Sequence, residues 1–519
     1  MTAAAIPPSH FNALTDAWLP LVQTDGITVW ASPVEVLCGE KDGVDLDYPR
    51  DDFRIYARLL LSALVQALVP AATKADLLRR LDEPLQRADV ERVMTPVLGD
   101  FDLFGPTPFL QITPPGDPPT QGGAAPFVFP GEDLFQSRVP IDAISVPIAL
   151  VMLFIEQTYA GGAGRGYGAG PAGQLGAVTL VDSGSVRSAA WANTLTQETV
   201  KGIYAADGER PWSNATQAAR ERASIGIVGG LFFQPRGIWL VPAGEGRCSF
   251  SGRPGALVRR SPFLPKSQLS KRAPKVEDLW QHPCAPLALN SQGIGAVRLN
   301  AERPAWTGLA QLLSPLAKKK TNVEHPRAGP APVLQQWKTL AAETKRPRLL
   351  LLDFDRDKAN VKRRFFEVFP LTDHLIGKGE AVEHLRAVVD DAQDVRVFLV
   401  RALTRAHDDR KHGGLALADA ETSFWTASES SFLDWLAAIT ATGAWTDETE
   451  ARMETARQTM HIAVRRAAQA IFDAHVSLSE FDPRKQARVA VARRRLVRDL
   501  YPRAATASFA VPTAAEVTT

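Results

Sequence analysis

Cysteine is nearly absent: 519 residues hold 3, namely Cys38, Cys248 and Cys284. None forms a CxxC pair and the number is odd, which gives no sign of a disulfide framework and fits a reducing compartment. An excess of one charge is missing too, since 59 Lys+Arg face 57 Asp+Glu for a formal net charge of +2. A polyanion would have to be met by local patches, not by a global field. The longest apolar run, VPIALVMLFI at 146–155, is too short to span a bilayer. The opening MTAAAIPPSHFNALTDAWLPL has no basic region leading into an apolar one, so a cytoplasmic protein without export or membrane insertion is expected. GxSxG, HExxH and helicase motifs are absent, and so is any period that would mark a repeat protein.

What is present supports large cores: 45% of the residues are hydrophobic, and the length suits two to four domains at roughly 150 residues each. From about 10 to 365 the texture is mixed, with strand-like runs such as GITVW and alternations of the VRVFLV type between helices and Pro/Gly-rich connections. DDFRIYARLLLSALVQALV (51–69) and SVPIALVMLFIEQ (145–157) read as core helices. After about 375, segments 379–405, 420–442, 447–478 and 483–500 carry helical periodicity. In the third, Met453, Met460, Val464, Ala467 and Ile471 fall near one face. The expectation is an α+β protein: a large mixed N-terminal domain (1–370), a C-terminal four-helix bundle (371–505) and a disordered tail (506–519).

The stretch GGAGRGYGAG (161–170) admits three readings: a phosphate cradle, a slack linker, or a backbone surface that approaches something large. No register is expected to supply the GxGxxG fingerprint, since those starting at Gly162, Gly164 and Gly166 fail at its third glycine, and Gly-Lys-Ser/Thr is wanting. A helix precedes the stretch and the strand AVTLV follows, the reverse of a strand–loop–helix phosphate site. A linker is the cheap reading of glycine. Against it, Arg165 and Tyr167 stand inside the run, and a backbone without Cβ atoms can lie in a narrow groove.

Several stretches, in order, resemble the large subunit of the type I-E CRISPR surveillance complex, Cascade, called the CasA family. They are FNALTDAWLPLV, YPRDDFRIYARLLLSALVQAL (48–68), GIVGGLFFQPRGIWL (226–240), FLPK (263–266), LWQHPCAPL (279–287) and PAWTGLAQLL (304–313). The resemblance runs from about 11 to 500. It implies a non-catalytic subunit that reads the protospacer-adjacent motif of double-stranded DNA through the minor groove and starts strand separation beside it. Its implied partners are other Cascade subunits, guide RNA and a helicase-nuclease recruited in trans. The family's glycine loop aligns with Gly164, Arg165 and Gly166, where Arg165 departs from a more purely glycine pattern and suits a narrow, electronegative groove. A wedge hairpin aligns with DFDRDKANVKRR (353–364), placing Lys358 at its tip between Asp357 and Ala359. A motif-reading lysine falls among Lys266, Lys271, Arg272 and Lys275, with Lys271 favoured. EDLFQSRVP (132–140) aligns with a loop that docks on guide RNA and a neighbouring subunit through Phe135 and Gln136.

Charge alone leaves the helix from Pro483 open between a solvated face and a nucleic-acid path, and the resemblance favours DNA-backbone contacts by Arg484, Lys485, Arg488 and Arg494. Lys318, Lys319 and Lys320 have no assigned role. Some family members carry two cysteine pairs placed for zinc; here Cys248 has Ser251 as its pair mate, one thiolate cannot make a tetrahedral site, and neither metal nor other cofactor is expected. The rival reading is a metal-dependent nuclease using His407, Asp408 and His412 of AHDDRKHGG, but His282 and His461 supply no matching motif. His282, beside Trp280, reads as a hydrogen-bonded core histidine.

Overall fold

The computed structural model describes residues 10–112, 141–159, 176–213, 225–234, 236–261, 280–290, 293–314, 328–340, 347–357, 360–407, 413–440, 447–476 and 482–502. The chain forms two compact units, Met1–Gly379 and Glu380–Thr519. The first begins with β1 (Leu19–Val22) and β2 (Thr28–Ala31), a hairpin in which Leu19 faces Ala31. Its turn uses Gly26 at φ 82°, a conformation glycine reaches without a Cβ penalty. Ser32 then opens α1 (Pro33–Leu37) with a capping box, its hydroxyl accepting from Glu35 N while the Glu35 carboxylate accepts from Ser32 N. β3 (Asp45–Leu46) pairs with β1.

α2 (Asp51–Leu68) is buried on nearly every side, as its apolar content dictates, and forms the spine of this unit. By contrast α3 (Lys74–Asp82) and α4 (Arg87–Met94) each bury only two residues four apart, Leu77/Leu81 and Val90/Met94, and lie at the surface. The open end of α3 is closed by Arg187, whose guanidinium donates to the carbonyls of Arg80, Leu81, Asp82 and Glu83.

Next come β4 (Ile144–Ser145) and α5 (Val146–Phe154), in which every residue but Pro147 is buried. α5 passes into a π-helical turn at Ile155–Tyr159. Then follow β5 (Val178–Asp182), α6 (Val186–Ala192), α7 (Gln197–Ile203), α8 (Ile227–Leu231), β6 (Leu240–Arg247) and β7 (Pro254–Arg260), with a sheet in the order β4-β7-β6. β8 (Leu287–Asn290) and β9 (Gly293–Ala296) pair as a hairpin, followed by α9 (Leu309–Leu313) and α10 (Pro332–Lys338). The long hairpin β10 (Arg348–Asp357) and β11 (Asn360–Pro370) closes the unit in a sheet ordered β11-β10-β5. Trp18, Trp191, Trp306 and Trp337 are among its largest fully buried side chains.

The second unit consists, among the described residues, of α11 (Glu380–His407), α12 (Gly413–Thr440), α13 (Asp447–His475) and α14 (Pro483–Leu500). α12 packs on α13, and α11 on the other three, as a bundle. The architecture is thus the mixed N-terminal region and helical bundle that the periodicity implies. VRVFLV at 395–400, whose alternation mimics a strand, is a helical stretch of α11: only Val395 and Leu399, four apart, are fully buried there. On α13 the buried stripe is Met453, Met460, Val464, Ala468 and Phe472, while Ala467 and Ile471 stand half-buried at its edge. The larger Phe472 takes the inward position.

Asp391 of α11 holds three helices together. It accepts from His461 and, through both oxygens, from Arg465 of α13, whose Nε donates to Leu500 O at the end of α14. Burial raises the Asp391 pKa, but hydrogen bonds from His461 and Arg465 outweigh it and hold the carboxyl below its ordinary value.

Candidate nucleic-acid interface

The β11-β10-β5 sheet places the start of β5, which follows residues 160–175 in the chain, towards the end of the sheet at which β10 finishes with Asp357. β5 runs antiparallel to β10, with Asp182 opposite Arg348 and Val178 opposite Leu352. The chain therefore enters β5, directly after residues 160–175, at the end towards which β10 runs on to Asp357. Five more residues of β10, roughly 17 Å of strand, extend past the Val178 position. The entry is tight: Ala177 N donates to Val297 O at 2.8 Å, and a Cβ on Gly176 would stand 1.8 Å from that same oxygen. Thr179 fixes the next step by donating from both N and Oγ1 to Cys284 O.

On the other side of residues 160–175, Glu156, Gln157 and Thr158 are held by the motif GIVGGLFFQPRGIWL. Glu156 pairs with Arg236 at 2.6 Å, and both side chains are buried. Gln157 donates to Leu110 O and Arg236 O and accepts from Arg236 N; Thr158 Oγ1 reaches Leu231 O. Within the motif, Asp207 caps α8 by accepting from Val228 N and Gly229 N. Gly230 leaves room for the Trp280 ring, and Gly226 for Asp207 itself.

The β10–β11 arm is fastened on two sides below its tip. On β11, Arg363 donates to the carbonyls of Ala301 and Arg303, whereas the adjacent Arg364 lies 3.8 Å from Asp51 and 3.7 Å from Asp52. Neighbouring strand residues face opposite ways, so the two arginines pull on opposite faces. Arg54 of α2 adds a cation–π contact over Phe366. On β10 the buried Asp353 accepts from Leu299 N at 2.7 Å. At the far end, Arg58 lies between Asp45 and Asp182, and Asp182 also pairs with Arg348, tying α2 to the base of the sheet. The ladder slips at Asp355/Arg356, a bulge that bends the arm before Asp357 pairs with Asn360.

Of the expected site residues, Asp357 is the last of β10. Lys358 and Ala359 lie outside the described residues, as do Gly164, Arg165 and Gly166, Phe135 and Gln136, Lys271 with its competitors Lys266, Arg272 and Lys275, and Lys318–Lys320. On α14, Val489, Ala492, Leu496 and Leu500 form the buried stripe. Arg484, Lys485 and Arg494 are exposed and Arg488 half-buried. Arg493, by contrast, is held by both oxygens of Asp473. His407 is exposed at the end of α11, and Asp408 and His412 lie outside the described residues.

His282 is a core residue. Its Nδ1 accepts from Cys284 N, and complete burial pushes its pKa down to about 3. Cys248 is buried with Ser251 N directed at its Sγ, and the corner is packed by Phe250 against Phe53, ring centres 4.7 Å apart. Among the described residues, no group of three or more His, Cys, Asp or Glu is placed to hold a metal ion, and no helix is long and apolar enough to cross a membrane. GAGPAG at 168–173 does spell GxGxxG, a register missed when only the earlier glycines are tested. It stands between the turn after α5 and strand β5, so no helix N-terminus follows it to receive a pyrophosphate.

The family model of CRISPR-associated protein Cse1 matches residues 12–471. The fold is similar to that of Thermus thermophilus CasA (Cse1), at 18% identity and a TM-score of 0.68, covering 95% of this chain and 99% of that one. Thermobifida fusca Cse1 superposes with a TM-score of 0.71 at 16% identity, covering 95% and 98%. A chain of a CRISPR RNA-guided surveillance complex, pre-nicking, matches with a TM-score of 0.57 at 15% identity, covering 96% and 99%. With a family model that spans most of its length, the chain belongs to the Cse1 family of CRISPR-associated proteins.

Proposed function

We propose that this chain is the subunit of an RNA-guided surveillance complex that reads a short flanking motif in double-stranded DNA from the minor groove and separates the first base pair beside it. The observation that carries the reading is the shared end of the β11-β10-β5 sheet, where the strand leaving residues 160–175 and the arm leading to Lys358 run side by side. A duplex laid across that end meets glycine main chain and a cationic tip together. Gly164 and Gly166 let the backbone approach the base edges, Arg165 favours a narrow groove, and Lys358 inserts its stem between bases while its ammonium finds a phosphate or base acceptor. Lys271 supplies a further groove contact. Phe135 and Gln136 dock on guide RNA and a neighbouring subunit, and Arg484, Lys485, Arg488 and Arg494 follow the DNA backbone through counterion release. Sequence beyond the motif is read by the guide, and cleavage falls to a helicase-nuclease recruited in trans.

The test is binding of the assembled, guide-loaded complex to a duplex library randomised in the flanking positions. Wild type selects a short motif, Arg165→Gly changes the selection, and Lys358→Ala keeps it but slows opening of the adjacent pair. Indifference of the wild-type complex to the flanking sequence overturns the reading. So does cleavage of labelled duplex by the chain alone with magnesium or manganese, abolished in His407→Ala.

A further inference from the structure

Three consecutive polar side chains, Glu156, Gln157 and Thr158, are 4%, 0% and 0% exposed immediately before the glycine segment. Burying polar groups in succession is unfavourable unless each finds a partner, and here each does, in segments distant along the chain. Gln157 makes three hydrogen bonds of 3.0–3.1 Å with main-chain groups of Leu110 and Arg236. The Glu156–Arg236 pair, at 2.6 Å, lies beside it. Two backbone irregularities converge on the same point. Ile155–Tyr159 forms a π-helical turn, and Leu110, whose carbonyl Gln157 grips, sits at φ 58°, a left-handed conformation that leucine rarely adopts. Such strain persists where the surroundings over-determine it.

A core that needed only stability would fill this place with apolar side chains. A satisfied polar cluster instead specifies direction, because hydrogen bonds fix an angle that apolar contact leaves free. We infer that Gln157, supported by the Glu156–Arg236 pair and Thr158, comprises the positioning residues for the motif-reading glycine segment, so that discrimination between flanking motifs depends on them although none of them reaches DNA. The inference rests on the function proposed above. The described residues on either side are both fixed, Gly176 and Ala177 against Val297 O after residues 160–175 and Gln157 before them. Loosening one side blurs which bases the main chain meets while leaving the cationic surface that attracts any duplex unchanged.

The experiment uses the complete guide-loaded complex and two duplexes from the randomised library, one carrying the selected motif and one carrying a rejected motif; the readout is the ratio of their Kd values. Gln157→Met keeps the volume and removes all three hydrogen bonds. It is expected to lower the ratio about tenfold, the loss of roughly one base pair's discrimination, with affinity for the rejected duplex within about twofold of wild type. Thr158→Val, a milder change that leaves the core filled, is expected to lower it about threefold. An unchanged ratio in an assembled Gln157→Met complex overturns the inference, as does an equal loss of affinity for both duplexes. If the Gln157→Met subunit does not enter the complex, an unchanged ratio for Thr158→Val overturns it instead. A wild-type complex without any preference refutes the parent reading, and the inference falls with it.

Discussion

Gly230→Ala puts the packing of the family motif to a direct test. A Cβ built on Gly230 would stand 2.0 Å from Cε2, 2.2 Å from Nε1 and 2.5 Å from Cδ2 of Trp280. These atoms belong to the fused core of a rigid indole ring. Trp280 is 5% exposed and stands edge-on to His282 with ring centres 5.5 Å apart, so the ring has little room to retreat. Overfilling a packed site of this kind costs about 1–3 kcal/mol and at times more. The gain in helix propensity from glycine to alanine is at most about 1 kcal/mol, and α8 is only a five-residue turn of helix. With contacts this short the cost of overfilling lies at the upper end of its range and the clash wins, with a net destabilisation of about 2 kcal/mol. Gly202 supplies the control: it is exposed in α7, a Cβ there meets nothing within 4 Å, and Gly202→Ala is expected to be neutral or stabilising by up to about 1 kcal/mol. Urea unfolding followed by circular dichroism measures both. In a Trp280→Phe background, which lacks Nε1 and the fused-ring edge, the Gly230→Ala penalty should shrink below about 1 kcal/mol. A Gly230→Ala variant within about 0.5 kcal/mol of wild type, or an unchanged penalty in the Phe background, refutes the reasoning.

Local periodicity made the helices legible. α2 repeats apolar residues through its whole length, and the four bundle helices carry apolar stripes bounded by polar turns, so chain-neighbour patterns suffice to find them. The strand RLLLLDF and the polar cluster DRDKAN likewise mark the long hairpin. The links that aim these elements are long-range, and there sequence reading stops short. Arg363 and Arg364 look like solvated charges of a basic hairpin, yet one is tied to main-chain carbonyls and the other to the first turn of α2. A signal was present in one case: Glu156 and Arg236 each interrupt an apolar stretch, and a charge so placed is either out of the core or paired within it. What the sequence withholds is that they pair with each other. VRVFLV shows the opposite error, since short alternation fits a strand and a helix equally and only the surrounding 28-residue span of α11 decides.

Protonation of His282 gives a pH signature. Its folded pKa is depressed to about 3, so its contribution to stability is present above the unfolded value and lost as pH falls from about 6.5 towards 3. Between pH 7 and pH 5 wild type should lose about 2 kcal/mol more than His282→Asn, whose Oδ1 can still accept from Cys284 N; parallel pH curves refute this. Among the thiols, Cys38 is part-exposed, while Cys248 and Cys284 are buried and burial pushes the Cys284 pKa far up. A thiol-disulfide reagent should therefore modify Cys38 first in the native protein and the other two only in denaturant, and rapid native labelling of two thiols contradicts the packing. The hairpin's aim is tested by Arg364→Gln. Arg364 is 29% exposed and its carboxylate contacts are 3.7–3.8 Å, so its loss should change stability by less than about 1 kcal/mol. Opening of the first base pair, followed with a fluorescent base analogue in the assembled complex, should nevertheless slow by about threefold or more, because the arm keeps its ladder but loses its charged tie to the first turn of α2. Arg348→Gln alters the same residue type at the opposite end of the same sheet, away from the tip, and should leave the opening rate unchanged. If both substitutions slow opening equally, anchorage near the tip is not what directs the arm, and the mechanical role given to Arg364 is wrong.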